Sequence, residues 1–384
     1  MPYLAPVWTQ PLYGDRPFEK LANWERERAD NELAETGVAV FPIVTQGQLI
    51  VRDLHGIRSC DPETGSLLWR FDSTLTVPGF VSELQNADPG RSASLVEMAW
   101  TENSSQGIVT SDGRRIFAID WLKFESLVVP GEPPSVQASN RLVCLEIPTQ
   151  SGKTHLTDDE AVPVIQPVWS VGGSATEGAL ADQLFLGAPR VVDDALFVIS
   201  ESRRDRELNL VKLEATTGRV VWVQKIGLVQ QPSFSATQSA RNLPMALPAV
   251  ADGIVICQPD AEIIVAVDAN QGELKWIYAY GRDGLIGGRS RFGYLSSGGG
   301  FRGFPSTPLI HRQAVLCLPQ HSEEIYRLDL NTGQLVWKVK REEDAYLAAV
   351  TDRIVACVGK HGLRGLSLAD GSVVWSARTG LSSG

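Results

Sequence analysis

Chemistry in this 384-residue chain would first be sought at its five histidines, its five cysteines and one Gly-Lys-Thr triplet. The triplet lies in "QSGKT", Gln150 to Thr154, and could offer amides, an ammonium and a hydroxyl to a phosphate. A phosphate-binding loop needs a second glycine five residues before Gly152, and Ile147 stands there, so the stretch reads as a turn. His55, His155, His311, His321 and His361 are scattered. His321 with Glu323 and Glu324 reads as a solvated loop rather than a metal pair. Cys60, Cys144, Cys257, Cys317 and Cys357 form no C-x-x-C or zinc-spaced cluster. Three of them recur at matching places in "GIVICQP", "QAVLCLP" and "RIVACVG", which marks them as buried strand thiols. The chain has no G-x-S-x-G elbow and no H-E-x-x-H, and Asn103-Ser104-Ser105 is a sequon of use only in a secreted eukaryotic protein. No catalytic, cofactor-binding or metal-ligating residue is assigned.

The segment with the chemistry of recognition is "GRDGLIGGRSRFGYLSSGGGFRGFP", residues 281–305. It sets Arg282, Arg289, Arg291 and Arg302 among glycines with Phe292, Tyr294, Phe301 and Phe304. Arginine and aromatic side chains anchor peptides and anionic groups, so this long Gly/Arg-rich loop is the candidate partner loop. Two further insertions, "TVPGFVSELQNADPGRSASLVEMAW" and "WLKFESLVVPGEPPSVQASN", are also long enough to form rim surfaces.

Such loops need a scaffold, and the sequence supplies one by repetition. "IRSCDPETGSLLW", "LVKLEATTGRVVW", "IVAVDANQGELKW", "IYRLDLNTGQLVW" and "LRGLSLADGSVVW" each place a Trp four residues after a Gly. The alternating first half and apolar second half of each copy predict two short strands joined by a three-residue turn. The turn ends in a left-handed residue, for which Gly is favoured because it has no Cβ to clash at positive φ. Gly65, Gly218, Gly272, Gly333 and Gly371 are those residues. Asp61, Glu214, Asp268 and Asp329, four before the Gly, are placed to accept from turn amides; the last copy has Ser367 there. Trp69, Trp222, Trp276, Trp337 and Trp375 then occupy one fixed place on the second strand of each hairpin, and Trp169 ends a more interrupted unit. A large ring recurring there predicts docking between repeats.

Two more apolar runs precede each hairpin, so a unit has four consecutive strands. Units of that kind in series predict an all-β fold, a β-propeller of four-stranded antiparallel blades. Six blades are recognisable, in a ring of six to eight. Residues 1–384 are expected to form one propeller domain, with a strand around Trp8 and a charged, helix-prone lead-in over residues 1–36. That strand would complete a last blade or belong to a blade whose other strands lie elsewhere.

Bulk properties narrow the function classes. A 43% hydrophobic and 21% charged composition is that of a folded globular protein. A formal net charge of −10 disfavours nucleic acid and anionic membrane as general partners. No apolar run reaches the ~18 residues of a membrane span, and the first residues lack the order of a signal peptide.

The Gly-to-Trp repeat resembles the blade of the pyrroloquinoline quinone (PQQ)-like, quinoprotein-type propeller family, whose signature runs A-x-D-x3-G-x3-W. "AVDANQGELKW", Ala266 to Trp276, matches it fully, and the other four copies keep G-x3-W. The resemblance implies the propeller fold over nearly the whole chain. It also implies two functional classes: BamB-like scaffolds that bind proteins or peptides without catalysis, and oxidoreductases that hold PQQ and calcium at the ring centre. The vicinal cysteines of the methanol-type enzymes, an EF-hand-like calcium loop and a haem C-x-x-C-H are all missing here. The expected function is therefore a BamB-like protein- or peptide-binding scaffold with no cofactor. The alternative is a PQQ- and calcium-dependent oxidoreductase, and a detached sensor module is a third reading. Family resemblance implies a periplasmic or cell-envelope location.

Overall fold

The computed structural model describes residues 7–9, 41–53, 55–75, 107–127, 135–148, 162–173, 180–181, 183–202, 207–228, 247–259, 262–280, 306–319, 322–359 and 361–378. All regular structure among them is strand. Six antiparallel sheets follow one another along the chain, and we number them as blades 1 to 6: residues 43–72, 110–172, 183–228, 249–279, 309–340 and 344–378. Each sheet is a meander in sequence order. The unit between Trp69 and Trp169 is one blade, with an inner hairpin formed by the long strands Arg115–Leu127 and Ser135–Glu146. Blade 3 has five strands because its innermost strand is split: Gln183–Phe185 and Arg190–Val192 both pair with Ala195–Ser202, and Gly187 and Pro189 lie in the break.

The core is not one mass but a row of seams. Five apolar clusters each join one blade to the next. In the seam between blades 4 and 5, Ile254, Ile256, Ile264 and Ala266 on one sheet meet Val315, Cys317, Tyr326 and Leu328 on the other. Strand alternation explains this division: successive residues face opposite seams, so each blade is apolar on both sides and cannot bury itself alone. All five cysteines are buried and free. Burial pushes the Cys144 and Cys357 thiols up to about 12, so these groups are packing, not nucleophiles.

The outer hairpins carry the Gly-to-Trp spacing. Gly65, Gly218, Gly272, Gly333 and Gly371 have φ between 68° and 75°. The loop is one residue longer than the three predicted. In blade 5, Asp329 N donates to Gln334 O and Gly333 N to Asp329 O, which leaves four residues in the loop. The extra residue is Leu330, buried in the seam, and burial of that side chain explains the lengthening. Asp329 Oδ1 accepts from Asn331 N at 3.1 Å and Thr332 N at 2.9 Å, and Asp61 and Asp268 do the same in their turns. These bonds hold the Asp329 and Asp268 carboxyls below the usual carboxylate range. Glu214, one methylene longer, instead pairs with Arg219 and Thr217, and in the last turn Asp370 accepts from Ser372 N. Beyond the glycine, the ladder skips one residue, Lys275 in blade 4 and Val336 in blade 5. This bulge sets Trp276 opposite Ala266 and Trp337 opposite Arg327.

Each indole then lies on the glycine of the following blade. A Cβ on Gly333 would stand 2.5 Å from Trp276 Cδ2, and Cβ atoms on Gly272 and Gly218 would meet Trp222 and Trp169 at 2.7 Å and 2.6 Å. Gly371 receives Trp337 in the same way, with 3.0 Å to Cε3. The glycine is thus required twice, for its positive φ and for the ring above it. Two tryptophans depart from the expected docking. Trp69 is buried but donates from Nε1 to Gln48 Oε1 of its own blade at 2.8 Å, and no glycine among the described residues of blade 2 lies under its ring. Trp375 is the other, half exposed at the end of the row. Trp8 sits on Gly65 as a blade tryptophan would, and residues 7–9 have no ladder partner among the described residues; the rest of the expected strand lies outside them. Residues 10–36 of the expected lead-in lie outside the described residues.

Gly333→Ala should lower stability by about 3 kcal/mol, combining left-handed strain with overpacking against Trp276. Gly253→Ala, with φ 72° but open space where the Cβ would go, should cost about 1 kcal/mol. Urea unfolding of the two variants checks the difference.

Candidate functional site

The antiparallel meander sorts the loops of each blade between two ends. The glycine turns and the first-to-second-strand turns fall at one end. The second-to-third-strand tips and the exits of the fourth strands fall at the other. At this crossover end the described chain breaks off after Leu75, Leu228 and Tyr280, before the segments 76–106, 229–246 and 281–305. Arg282, Arg289, Arg291, Phe292, Tyr294, Phe301, Arg302 and Phe304 all lie outside the described residues. Their flanking residues are at this end: Tyr280 packs its ring against Tyr326 at 5.6 Å, and the Ser306 carbonyl accepts from Gln258 Nε2.

Polar side chains tie the blades together here. Between blades 1 and 2, the fully buried Asp120 carboxylate accepts from Ser73 Oγ, from Thr74 Oγ1 at 2.9 Å and from Arg141 Nη2 at 3.0 Å. Arg141 Nη2 also donates to Thr74 Oγ1 at 2.8 Å. Arg52 is buried against this group, and its Nε and Nη1 find no hydrogen-bond partner among the described residues. Burial holds the Arg52 guanidinium below its ordinary value, opposed by the charges of Asp120 and Asp53. Asp53 in turn accepts from His55 N, Gly56 N and Arg58, and its carboxyl is raised by burial against those bonds.

Between blades 2 and 3 an amide does the work. Asn140 Nδ2 donates to Phe185 O and Asn140 Oδ1 accepts from Phe185 N, both at 2.9 Å, so one side chain imitates a strand neighbour. At blades 5 and 6 the buried Arg341 guanidinium donates to four carbonyls among the described residues: Asp344 and Ala345 in blade 6, and Pro319 and Ser322 in blade 5. Arg364 donates from Nε to Asp344 Oδ2 at 2.7 Å and from Nη2 to Lys340 O at 2.7 Å. Burial lowers Arg341 to about 10, with Asp344 acting in the opposite sense, and burial raises the Asp344 carboxyl against its bond to Arg364.

These groups were not singled out from sequence, although a signal was present. Asp120 interrupts the apolar run "RIFAIDWL", Arg52 follows "QLIV" and Arg341 follows "LVWKVK". A charge at the end of a buried strand must be partnered, so each implied a polar seam end.

Chemically, the arrangement is a frame. Asp120 and Asp344 direct their lone pairs at hydroxyl, amide and guanidinium donors. Calcium requires six to eight oxygen ligands, and among the described residues no group of three His, Cys, Asp or Glu side chains is placed to hold a metal ion.

A family profile for the outer membrane protein assembly factor BamB matches residues 55–292 and 297–383. The chain belongs to this family. The chain is also similar to solved structures. BamB from Moraxella catarrhalis aligns with a TM-score of 0.52 at 12% identity, over 90% of this chain and 77% of that one. Sqt1 of Saccharomyces cerevisiae aligns at 0.49 and 10%, over 91% and 76%. A quinohemoprotein alcohol dehydrogenase from Comamonas testosteroni aligns at 0.43 and 12%, over 90% and 68%. At these identities the likeness is one of fold. No curated protein sequence matches the chain. Among the described residues, no helix is long and apolar enough to cross a membrane.

Asp120→Ala would remove the buried partner of Arg141 and one of the two carboxylates facing Arg52, and should cost about 3–5 kcal/mol in urea unfolding. Asp352→Ala, which removes a solvent-exposed partner of His311 and Arg312, should leave the unfolding midpoint close to that of the parent.

Proposed function

We propose that this chain is a non-enzymatic propeller scaffold that binds a protein or peptide at its crossover end. The observation that carries this reading is the use made of buried charge there. Asp120, Arg141, Arg341, Asp344 and Arg364 are engaged with one another and with backbone groups across the seams, which fixes the blades from which the long segments depart. A rigid frame carrying long loops is the physical form of a recognition surface. Family membership supports the same class of work, since the family is described by an assembly factor. Segment 281–305 supplies anchors of the right chemistry, arginines and aromatics whose partners would be carboxylates and apolar side chains. The net charge of −10 turns nucleic acid away in general, and protein or peptide is the partner class we assign.

Titration calorimetry with PQQ, with and without calcium, separates this scaffold from an oxidoreductase. The expected result is no saturable heat under either condition. Calcium-dependent binding at one site per chain would overturn the scaffold reading and call for dye-coupled alcohol and sugar oxidation assays.

A further inference from the structure

The fourth strand of a blade lies at the outer edge of its sheet, and its outward backbone groups are a template for pairing with another chain. Proteins guard such edges with lysines or by keeping the strand short. The outer strands of blades 3, 4 and 5 carry Lys225, Lys275, Lys338 and Lys340, and that of blade 2 has four residues. The outer strand of blade 1, Leu67–Asp72, reads LLWRFD and has no lysine; its one cation, Arg70, is paired with Asp72 at 3.2 Å.

That edge is guarded by the chain itself. Residues 163–165, on the way into the last strand of blade 2, lie beside it in parallel and make a single bridge, Arg70 to Val164. Arg70 N donates to Pro163 O at 2.9 Å, and Ile165 N donates to Arg70 O at 2.8 Å. Ile165 packs against the cluster that contains Trp69 and Phe71, and so covers the outer side of the seam between blades 1 and 2. The pairing stops after one bridge for a covalent reason. In a parallel ladder the donors recur at every second residue of the added strand, so the next amides, aimed at Leu68 and Asp72, would be those of residues 163 and 167. Both are prolines and have no N–H. Val164 remains 45% exposed, and Pro163 and Gln166 are exposed with it. The segment therefore holds this edge with two backbone bonds and one half-buried aliphatic side chain. A strand with ordinary amides at the two proline positions would add two bonds.

We propose that the outer edge of blade 1 binds an extended strand of a partner protein, and that residues 163–167 occupy the edge as a weak internal competitor. The segment already seated there supplies the direction, the register and the side-chain pattern of the occupant. The partner strand runs parallel to Leu67–Asp72. It places an aliphatic residue where Ile165 lies and non-proline, β-branched residues where Pro163 and Pro167 lie, because these three positions share one face. Positions matching Val164 and Gln166 meet solvent and are polar. Main-chain bonds give the affinity, and the residue at the Ile165 position gives the selectivity. This surface is a strand edge rather than the crossover loops, and the inference stands whatever those loops bind.

Fluorescence anisotropy tests it with two labelled peptides: EAVPVIQPV, which copies residues 160–168, and EAVTVIQTV, with threonine at both proline positions. The threonine peptide should bind about tenfold more tightly than the proline peptide, since each restored backbone bond is worth a few-fold. Ile165→Ser, which loosens the internal segment, should tighten binding of the threonine peptide about tenfold by freeing more of the edge. The double substitution Pro163→Thr, Pro167→Thr in the chain should weaken it. Arg70→Pro should abolish binding; the Arg70 amide faces outward, so a proline there removes no bond to the strand of Arg58. Hydrogen exchange on the parent chain covers the case in which a variant folds poorly. Saturating threonine peptide should speed exchange of the Ile165 amide and leave the Arg70 amide protected. An Ile165 amide unmoved by the peptide would overturn the proposal. So would binding that survives Arg70→Pro, or pairing of two Ile165→Ser chains with each other in place of peptide binding.

Discussion

An indole resting on a left-handed glycine of the next blade is the contact on which the rest of this structure depends. Each blade has apolar residues on both faces of its sheet, so a single blade exposes as much apolar surface as it covers. Stability comes from the seams, and a seam requires two sheets to meet in one register. The Trp–Gly contact sets that register. The glycine admits the ring only because no Cβ intervenes, and the carbonyl three residues earlier fixes its orientation through a directional bond. At Trp222 the ring still sits on its glycine although Lys212 has taken the carbonyl. Contact with the ring is therefore the common feature and the hydrogen bond an addition to it.

With the glycine-turn end of four of the five seams fixed by an aromatic ring on a glycine, the crossover end is left for polar closure. Here the solutions differ from seam to seam: a carboxylate with two hydroxyls and an arginine, an asparagine imitating a strand, and a guanidinium holding four carbonyls. Buried polar groups of this kind contribute little net stability but are costly when left unpaired. They consequently restrict how adjacent blades can tilt. That restriction suits a protein whose variable segments leave from this end and whose proposed work is to hold a partner against them.

The repeat was legible in the sequence because its constraint is local. Gly333 and Trp337 are four residues apart, and both the positive φ and the bulge act within one hairpin, so the spacing survives in every copy. The blade count and the unity of the interrupted second blade followed from the same spacing. The four-residue loop was less legible, since Leu330 belongs to the turn by sequence and to the seam by packing. The split inner strand of blade 3 and the self-contained bond of Trp69 depend on what the neighbouring blade offers. The polar seam ends were harder still, because Asp120, Thr74 and Arg141 are far apart in sequence and only the meander brings them together. Trp8 was conspicuous as a lone aromatic, but its role needed the position of Gly65. The recognition loop at 281–305 stands on composition alone.

The measurement that tests the account most directly is a double-mutant cycle on Trp276 and Gly333, read by urea unfolding. Trp276→Leu and Gly333→Ala remove the ring and fill the space beneath it. The account predicts strong non-additivity of about 1–3 kcal/mol, because once the ring is gone the added methyl meets no obstacle and only its backbone strain persists. Additive effects of the two substitutions would show that ring and glycine act separately, and would contradict the claim that their contact sets the seam.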